Sequence, residues 1–322
     1  CRYLHELNHD GSINWLMAAR SAQKLTQLQQ ELSGPHTPDY RLADAGNETQ
    51  LRALCEEAGV IVSTVGPYAL YGEPLIKACV ETGTDYCDLT GETQWIRRMI
   101  DRYETNALRR EMADPYSLCP PANKPQVRQP RITAVMDNDV HSWIAPFVMD
   151  AINTRVVHRS HALLGYPWGQ DFLYDEAVMT GGDNSQGSVD PGRRRARLTA
   201  FGQPLLMLGF AIPPTRWLMS RLLPKPGEGP SPELQRTGFF DLLFIGHTRD
   251  GRSIRTTLYG ERDPGYGATA RMLGQAALCL RDDVNKEEKP GGFWTPASAL
   301  AEPLLARLQK DAGMVFGVAQ CG

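Results

Sequence analysis

Residues 60–92 read VIVSTVGPYALYGEPLIKACVETGTDYCDLTGE, and their reading decides the fold. Val60–Val65 is β-branched and apolar, the signature of a buried strand, and Gly66-Pro67 breaks it. Pro74 suits the first turn of a helix whose apolar face is Leu75, Ile76, Cys79 and Val80; Gly83 ends it, and Thr84–Leu89 is extended again. Strand, helix and strand joined by short turns make a right-handed crossover in a parallel sheet.

The alternation continues upstream. Ile13–Ala19 is a short apolar strand, and Ser21–Leu32 is a helix carrying Leu25, Leu28 and Leu32. Asp39–Ala43 is a strand, and Asn47 opens a helix in capping-box spacing with Gln50, which Gly59 stops. Trp95, Ile96, Met99, Ile100 and Tyr103 mark a further helix. Five prolines at 115, 120, 121, 125 and 130 then make 113–135 irregular. Beyond it, Trp143–Asn153 has helical spacing, and Arg155–Leu164 and Asp171–Met179 read as strands of a second sheet. Gly238–Gly246 and Ser253–Gly260 are antiparallel strands around an Asp250-Gly251 turn. Ala268–Arg281 and Ala297–Leu308 are helices. The expected fold class is α/β: a Rossmann-type parallel sheet, incomplete at its N-terminus, with a second α+β domain containing an antiparallel sheet. The expected domains are 1–112, 113–262, and C-terminal helices at 263–322 that pack back on the first.

Length and charge limit the function. The 322 residues suffice for about two domains. With 42% apolar residues and 22% charged, the chain is globular. Its 34 basic and 37 acidic residues leave −3, which provides no basic excess for nucleic acid. Seven cysteines, at 1, 55, 79, 87, 119, 279 and 321, contain no C-x-x-C pair and fit a reducing compartment. There is no Gly-x-Ser-x-Gly elbow to anchor a hydrolase triad. His158 and His161 would point to opposite faces of a strand, which disfavours a shared metal, with His141 nearby; no metal site is assigned.

The bend after Val60–Val65 places backbone amides at the carboxyl edge of the sheet, where α/β folds bind ligands. The pattern alone reads equally as an ordinary strand-to-helix turn. The run Gly66-Pro67-Tyr68, Tyr71-Gly72-Glu73-Pro74, Cys79 and Gly83–Glu92 resembles the saccharopine dehydrogenase-like oxidoreductases, in the branch of the trans-acting enoyl reductases. The likeness extends through Ala145–Met149, Asn153–Val157, Arg159-Ser160, Pro226–Pro230, Asp263–Tyr266, Gly291-Gly292 and Thr295-Pro296. It implies a Rossmann domain holding NADP, with NAD as the alternative. It assigns Arg20, Ser21 and Lys24 to the 2′-phosphate, since cations grip phosphate where an acidic residue would favour NAD. It also assigns Asp44 to the adenine side, Thr64, Val65, Gly66, Pro67 and Tyr68 to the nicotinamide ribose, and Asp88, with Gly91 and Glu92, to the same edge. Helix capping is the plainer role for Asp88 and Glu92. Tyr68 and Tyr71 are weighed as proton donors, but no catalytic acid is named.

Two departures from that family are visible. Cys1–Leu7 matches the helix that follows the family's first strand and Gly-rich turn, so a beginning upstream of Cys1 is expected. The Pro-rich 113–135 stretch stands where the family carries a strand and a Gly-Phe-Asp-Ser motif. With both walls of the nicotinamide cleft altered, weakened cofactor binding is expected of this chain. The resemblance implies hydride transfer to a lipid-like or polyketide-derived substrate; the alternative is a non-catalytic lipid- or membrane-associated protein or inactive fragment. Arg193, Arg194, Arg195 and Arg197 precede the uncharged stretch 198–215; the pattern reads equally as a membrane surface or lipid partner for 193–216 and as a solvated loop followed by a buried helix or dimer contact. A homodimer and a cytoplasmic location, peripheral on a membrane or lipid droplet, complete the expectations.

Overall fold

The computed structural model describes residues 1–103, 114–182, 191–211 and 229–319. They divide into two compact units, one of Cys1–Arg109 with Pro232–Gly322, the other of Arg110–Ser231.

The first unit opens with helix α1 (Arg2–Leu7), strand β1 (Leu16–Ala19), helix α2 (Ala22–Glu31) and strand β2 (Asp39–Leu42). Helix α3 (Glu48–Glu57) leads to β3 (Val60–Ser63), the short α4 (Tyr68–Tyr71), α5 (Glu73–Thr82), β4 (Asp85–Asp88) and α6 (Thr93–Tyr103). Helices α2 and α3 start where a polar side chain satisfies an orphan amide. Ser21 Oγ accepts from the Lys24 amide at 3.3 Å, and Asn47 Oδ1 accepts from the Gln50 amide at 3.1 Å. The Asn47 box is not reciprocal, because Gln50 Oε1 is taken by the Asp44 amide at 3.0 Å. Helix α3 ends in extended Ala58 rather than at a left-handed Gly59, whereas Gly83 closes α5 at φ +71°.

β1 pairs with β2 and β3 with β4, both in parallel. Among the described residues no ladder joins the two pairs. Leu51, Leu54, Cys55, Ile61, Ala78 and Cys79 form the core between α3, β3 and α5. Within it the Cys55 and Cys79 thiols lie 3.6 Å apart, and burial pushes both up in pKa. A second cluster joins Tyr68, Ile76, Trp95 and Met99.

The C-terminal part of this unit contains α9 (Pro232–Thr237), strands β8 (Phe239–His247) and β9 (Ser253–Glu261), and α10 (Gly267–Asp282). It closes with α11 (Pro296–Ala299), α12 (Ala301–Asp311) and β10 (Met314–Ala319). Strand β10, which the sequence pattern misses, zips antiparallel onto β9. The β8–β9 hairpin is therefore grouped with residues 1–109, not with the middle domain to which 113–262 assigned it. The single helix expected over Ala297–Leu308 is two, parted at Leu300 and Ala301, whose φ is +33°.

The second unit holds β5 (Val135–Asp137), β6 (Ser142–Pro146) and β7 (Ala177–Gly182) in an antiparallel sheet of that order. Two expectations are corrected here. Of the stretch expected as a helix, Trp143–Asn153, residues 143–146 lie in strand β6 and only 150–153 are helical, and Arg155–Leu164, expected as a strand, lies in the same helix α7 (Asp150–Leu163) but for its last residue. The cause is the face α7 buries: Thr154, His158, Arg159, Ser160 and His161, all polar, so no apolar periodicity marks the helix. Arg159 Nη1 is buried and donates to the Leu118 carbonyl at 2.6 Å. The loop expected over Gly181–Arg195 lies outside the described residues at 183–190 and is helical from Pro191, where α8 (Pro191–Ala211) begins. Residues 212–228 lie outside the described residues, and with them the ends of the apolar stretch and of the Pro-Gly connector.

Candidate functional site

The carboxyl ends of the parallel strands carry every residue singled out for the cofactor. After β1 come Arg20, then Ser21 capping α2, then Lys24 in its first turn. Arg20 and Lys24 are exposed, and among the described residues neither has a carboxylate partner. Two unpaired cations beside exposed helix amides are a good grip for a phosphate dianion. Ser21 spends its oxygen on the cap and so positions the turn. Asp44, after β2, is exposed, and its Oδ1 accepts from the Gly46 amide at 2.8 Å, which shapes its loop.

The bend after β3 is built differently. Thr64, Val65, Gly66 and Pro67 are exposed, and the Gly66–Pro67 peptide is cis. The Tyr68 ring turns inward: its hydroxyl donates to the Ser63 carbonyl at 3.0 Å, and its ring centroid lies 5.4 Å from that of Trp95. Burial, with the nearby Asp88 carboxylate, pushes the Tyr68 phenol up to about 12. Tyr68 is therefore a packing and anchoring residue, and its proton is committed to the backbone.

The sequence leaves the bend amides open to a ligand; in the structure three are engaged, the Val65 amide donating to Ser63 Oγ at 3.4 Å and the Tyr68 and Ala69 amides to Glu92. Glu92 grips the start of α4, with Oε1 accepting from the Tyr68 amide at 2.6 Å and Oε2 from the Ala69 amide at 2.8 Å. The carboxylate meets the need of the helix start from within the chain. The plainer capping role fits Glu92, and the solvent-exposed side of this bend is the Thr64–Pro67 rim. Gly72 is required by packing, since a Cβ there would come 2.6 Å from Trp95 Cζ2 and 2.9 Å from the Tyr68 carbonyl oxygen. Asp88 is likewise occupied. Its Oδ2 accepts from the Tyr86 hydroxyl at 2.8 Å and its Oδ1 from the Thr90 amide at 3.1 Å, while burial raises its carboxyl above the usual range.

Exposed Tyr71 lies on α4 beyond the bend. His158 and His161 share the buried face of α7, three residues apart, which replaces the opposite faces expected of a strand. Neither forms a metal cluster with other ligands among the described residues. Burial, reinforced by His161, pushes the His158 imidazole down to about 4, so it packs as a neutral ring, 4.7 Å from the Tyr116 ring. The second unit also contains a cavity of about 610 Å³ lined by Tyr116, Tyr174, Arg128, Arg131, Arg155 and Asp114, which the sequence pattern does not mark because these residues come from three separated segments.

Residues 2–116 match the family described as saccharopine dehydrogenase NADP binding domain. Over most of its length the chain is similar to proteins named trans-acting enoyl reductase. One from Mycobacterium bovis is 30% identical over 396 aligned positions, covering 97% of this chain and 93% of the relative. One from Mycobacterium tuberculosis has the same identity and coverage, and one from Mycobacterium ulcerans is 28% identical over 392 positions at 97% and 93%. Alignments longer than the 322 residues mean that these relatives contain internal segments with no counterpart here.

Proposed function

Because this chain belongs to the trans-acting enoyl reductase family, we propose that it binds NADPH and reduces the carbon–carbon double bond of a lipid-like or polyketide-derived enoyl substrate. Bound there, NADPH would supply the hydride for one carbon of the double bond, and a proton would go to the other. The residues fit the phosphorylated end of that cofactor. Arg20 and Lys24 hold the 2′-phosphate, Ser21 fixes the turn that carries them, and Asp44 stands at the adenine side. The exposed Thr64–Pro67 rim borders the nicotinamide ribose, with Tyr68 anchored on the Ser63 carbonyl beside it and Asp88 at the end of the neighbouring strand. Glu92 keeps the rim rigid instead of binding the ligand.

The observation that carries this reading is the unpaired Arg20–Lys24 pair directly after a parallel strand. It is tested by titrating the full chain with NADPH and NADH and following nicotinamide fluorescence. Saturable NADPH binding that Arg20→Ala with Lys24→Ala weakens, while leaving NADH binding as it was, supports it. A folded chain that fails to bind NADPH at millimolar concentration overturns it.

A second reading follows from Glu92 occupying the Tyr68 and Ala69 amides. In it the fold is kept without catalysis. The same titration separates the two, because only the first requires cofactor.

A further inference from the structure

Helix α8 has two faces of opposite character. Gly192, Ala196 and, more loosely, Thr199, Ala200 and Gln203 face the second unit's sheet; Ala196 is fully buried. This face is pinned. The Gly192 carbonyl accepts from Thr180 Oγ1 at 3.0 Å, Gln203 Nε2 donates to the Pro146 carbonyl at 2.9 Å, and the Arg193 guanidinium lies 5.6 Å from the Trp143 ring centroid. At about 100° per residue, the line opposite runs Arg194, Leu198, Phe201, Leu205. Leu198 is 64% exposed, Phe201 78% and Leu205 70%. Arg195 and Arg197 flank the line, and among the described residues none of Arg194, Arg195 or Arg197 pairs with a carboxylate.

We propose that this outer face of α8 docks on an anionic membrane surface, lying in the plane of the interface with Leu198, Phe201 and Leu205 among the acyl chains and the three arginines among the headgroups. Charge decides the occupant. A second copy of the chain would bring its own unpaired arginines to the same patch, whereas an acidic headgroup layer neutralises all three. The apolar line starts one turn after Arg194 and is flanked by Arg195 and Arg197, so cations border the greasy side chains as at a headgroup boundary. Among the described residues no helix is long and apolar enough to cross a membrane, which fits docking from one side. The inference is independent of the cofactor reading, because it concerns a face that carries none of the proposed cofactor residues.

The test floats the full chain with vesicles of phosphatidylcholine, with and without phosphatidylserine, in the absence of nucleotide. The expected result is co-flotation that needs phosphatidylserine and weakens with salt. Replacing the three arginines by glutamine lowers the partition coefficient about 100-fold. Phe201→Asp with Leu205→Asp abolishes flotation, while far-UV circular dichroism and Tm stay at the wild-type values, since these side chains touch solvent. The proposal is overturned if the double aspartate variant floats like the wild type. It is equally overturned if the wild type does not float, or sediments as a dimer that Phe201→Asp dissociates without any vesicle binding.

Discussion

Two strand ends at the same kind of edge have been finished in opposite ways. After β1, at the start of α2, stand two cations that have no carboxylate partner among the described residues. After β3 and β4 the carboxylates of Asp88 and Glu92 are already engaged: Glu92 on two amides, Asp88 on a phenol and an amide. A group satisfied from within stabilises the fold; a group left open in a turn can act on something from outside. The phosphate grip is thus placed at the β1–α2 turn, and the Gly66-Pro67 bend is a rigid rim.

The contrast is broken most readily at Glu92. Glu92→Ala leaves the Tyr68 and Ala69 amides without their carboxylate, and urea unfolding is expected to show a loss of about 2–4 kcal/mol. If stability does not change, the bend is not held as described. Removing both Arg20 and Lys24 is expected to leave stability within about 0.5 kcal/mol, as for exposed residues. It should weaken NADPH binding about 10–100-fold in a fluorescence titration. The Ser21→Ala variant should cost about 1 kcal/mol of stability, read as a shifted urea midpoint, by removing the α2 cap. Asp88 sharpens the contrast through pH. Its folded carboxyl is raised, so the folded state holds this proton more tightly than the unfolded one. The stability it contributes is fully present below the unfolded carboxylate pKa and lost as pH rises through the folded value. Asp88→Asn should therefore flatten stability over the acid-to-neutral range, a smaller change than the others, visible as Tm against pH.

Legibility followed chemistry along the chain. The first unit was readable because β3 is β-branched, α2 and α3 carry leucines at helical spacing, and turn residues such as Asn47 and Gly83 mark where helices start and stop. The second unit was misread where these rules do not operate. Trp143, Ile144, Phe147, Val148 and Ala151 have helical spacing, yet β6 buries Ser142, Ile144 and Ala145. Helix α7 packs histidines and an arginine inward, so Val156 and Val157 signalled a strand that does not form. The role of Glu92 is also invisible locally, because it acts on amides more than twenty residues earlier; capping chemistry was the only available clue. The Arg20–Lys24 pair was legible because its two members share one turn.

The paired thiols at the heart of the first unit give the molecule a built-in stopwatch. Cys1 is exposed and would alkylate at once, whereas Cys55, Cys79 and Cys279 in the first unit and Cys119 in the second are buried. An alkylating reagent reaches Cys55 and Cys79 only when α3 and α5 part, so the mass added per minute at those two sulfurs clocks the opening of that core. Cys119 keeps separate time for the other unit, and the two rates together would tell whether the units melt as one body or in turn.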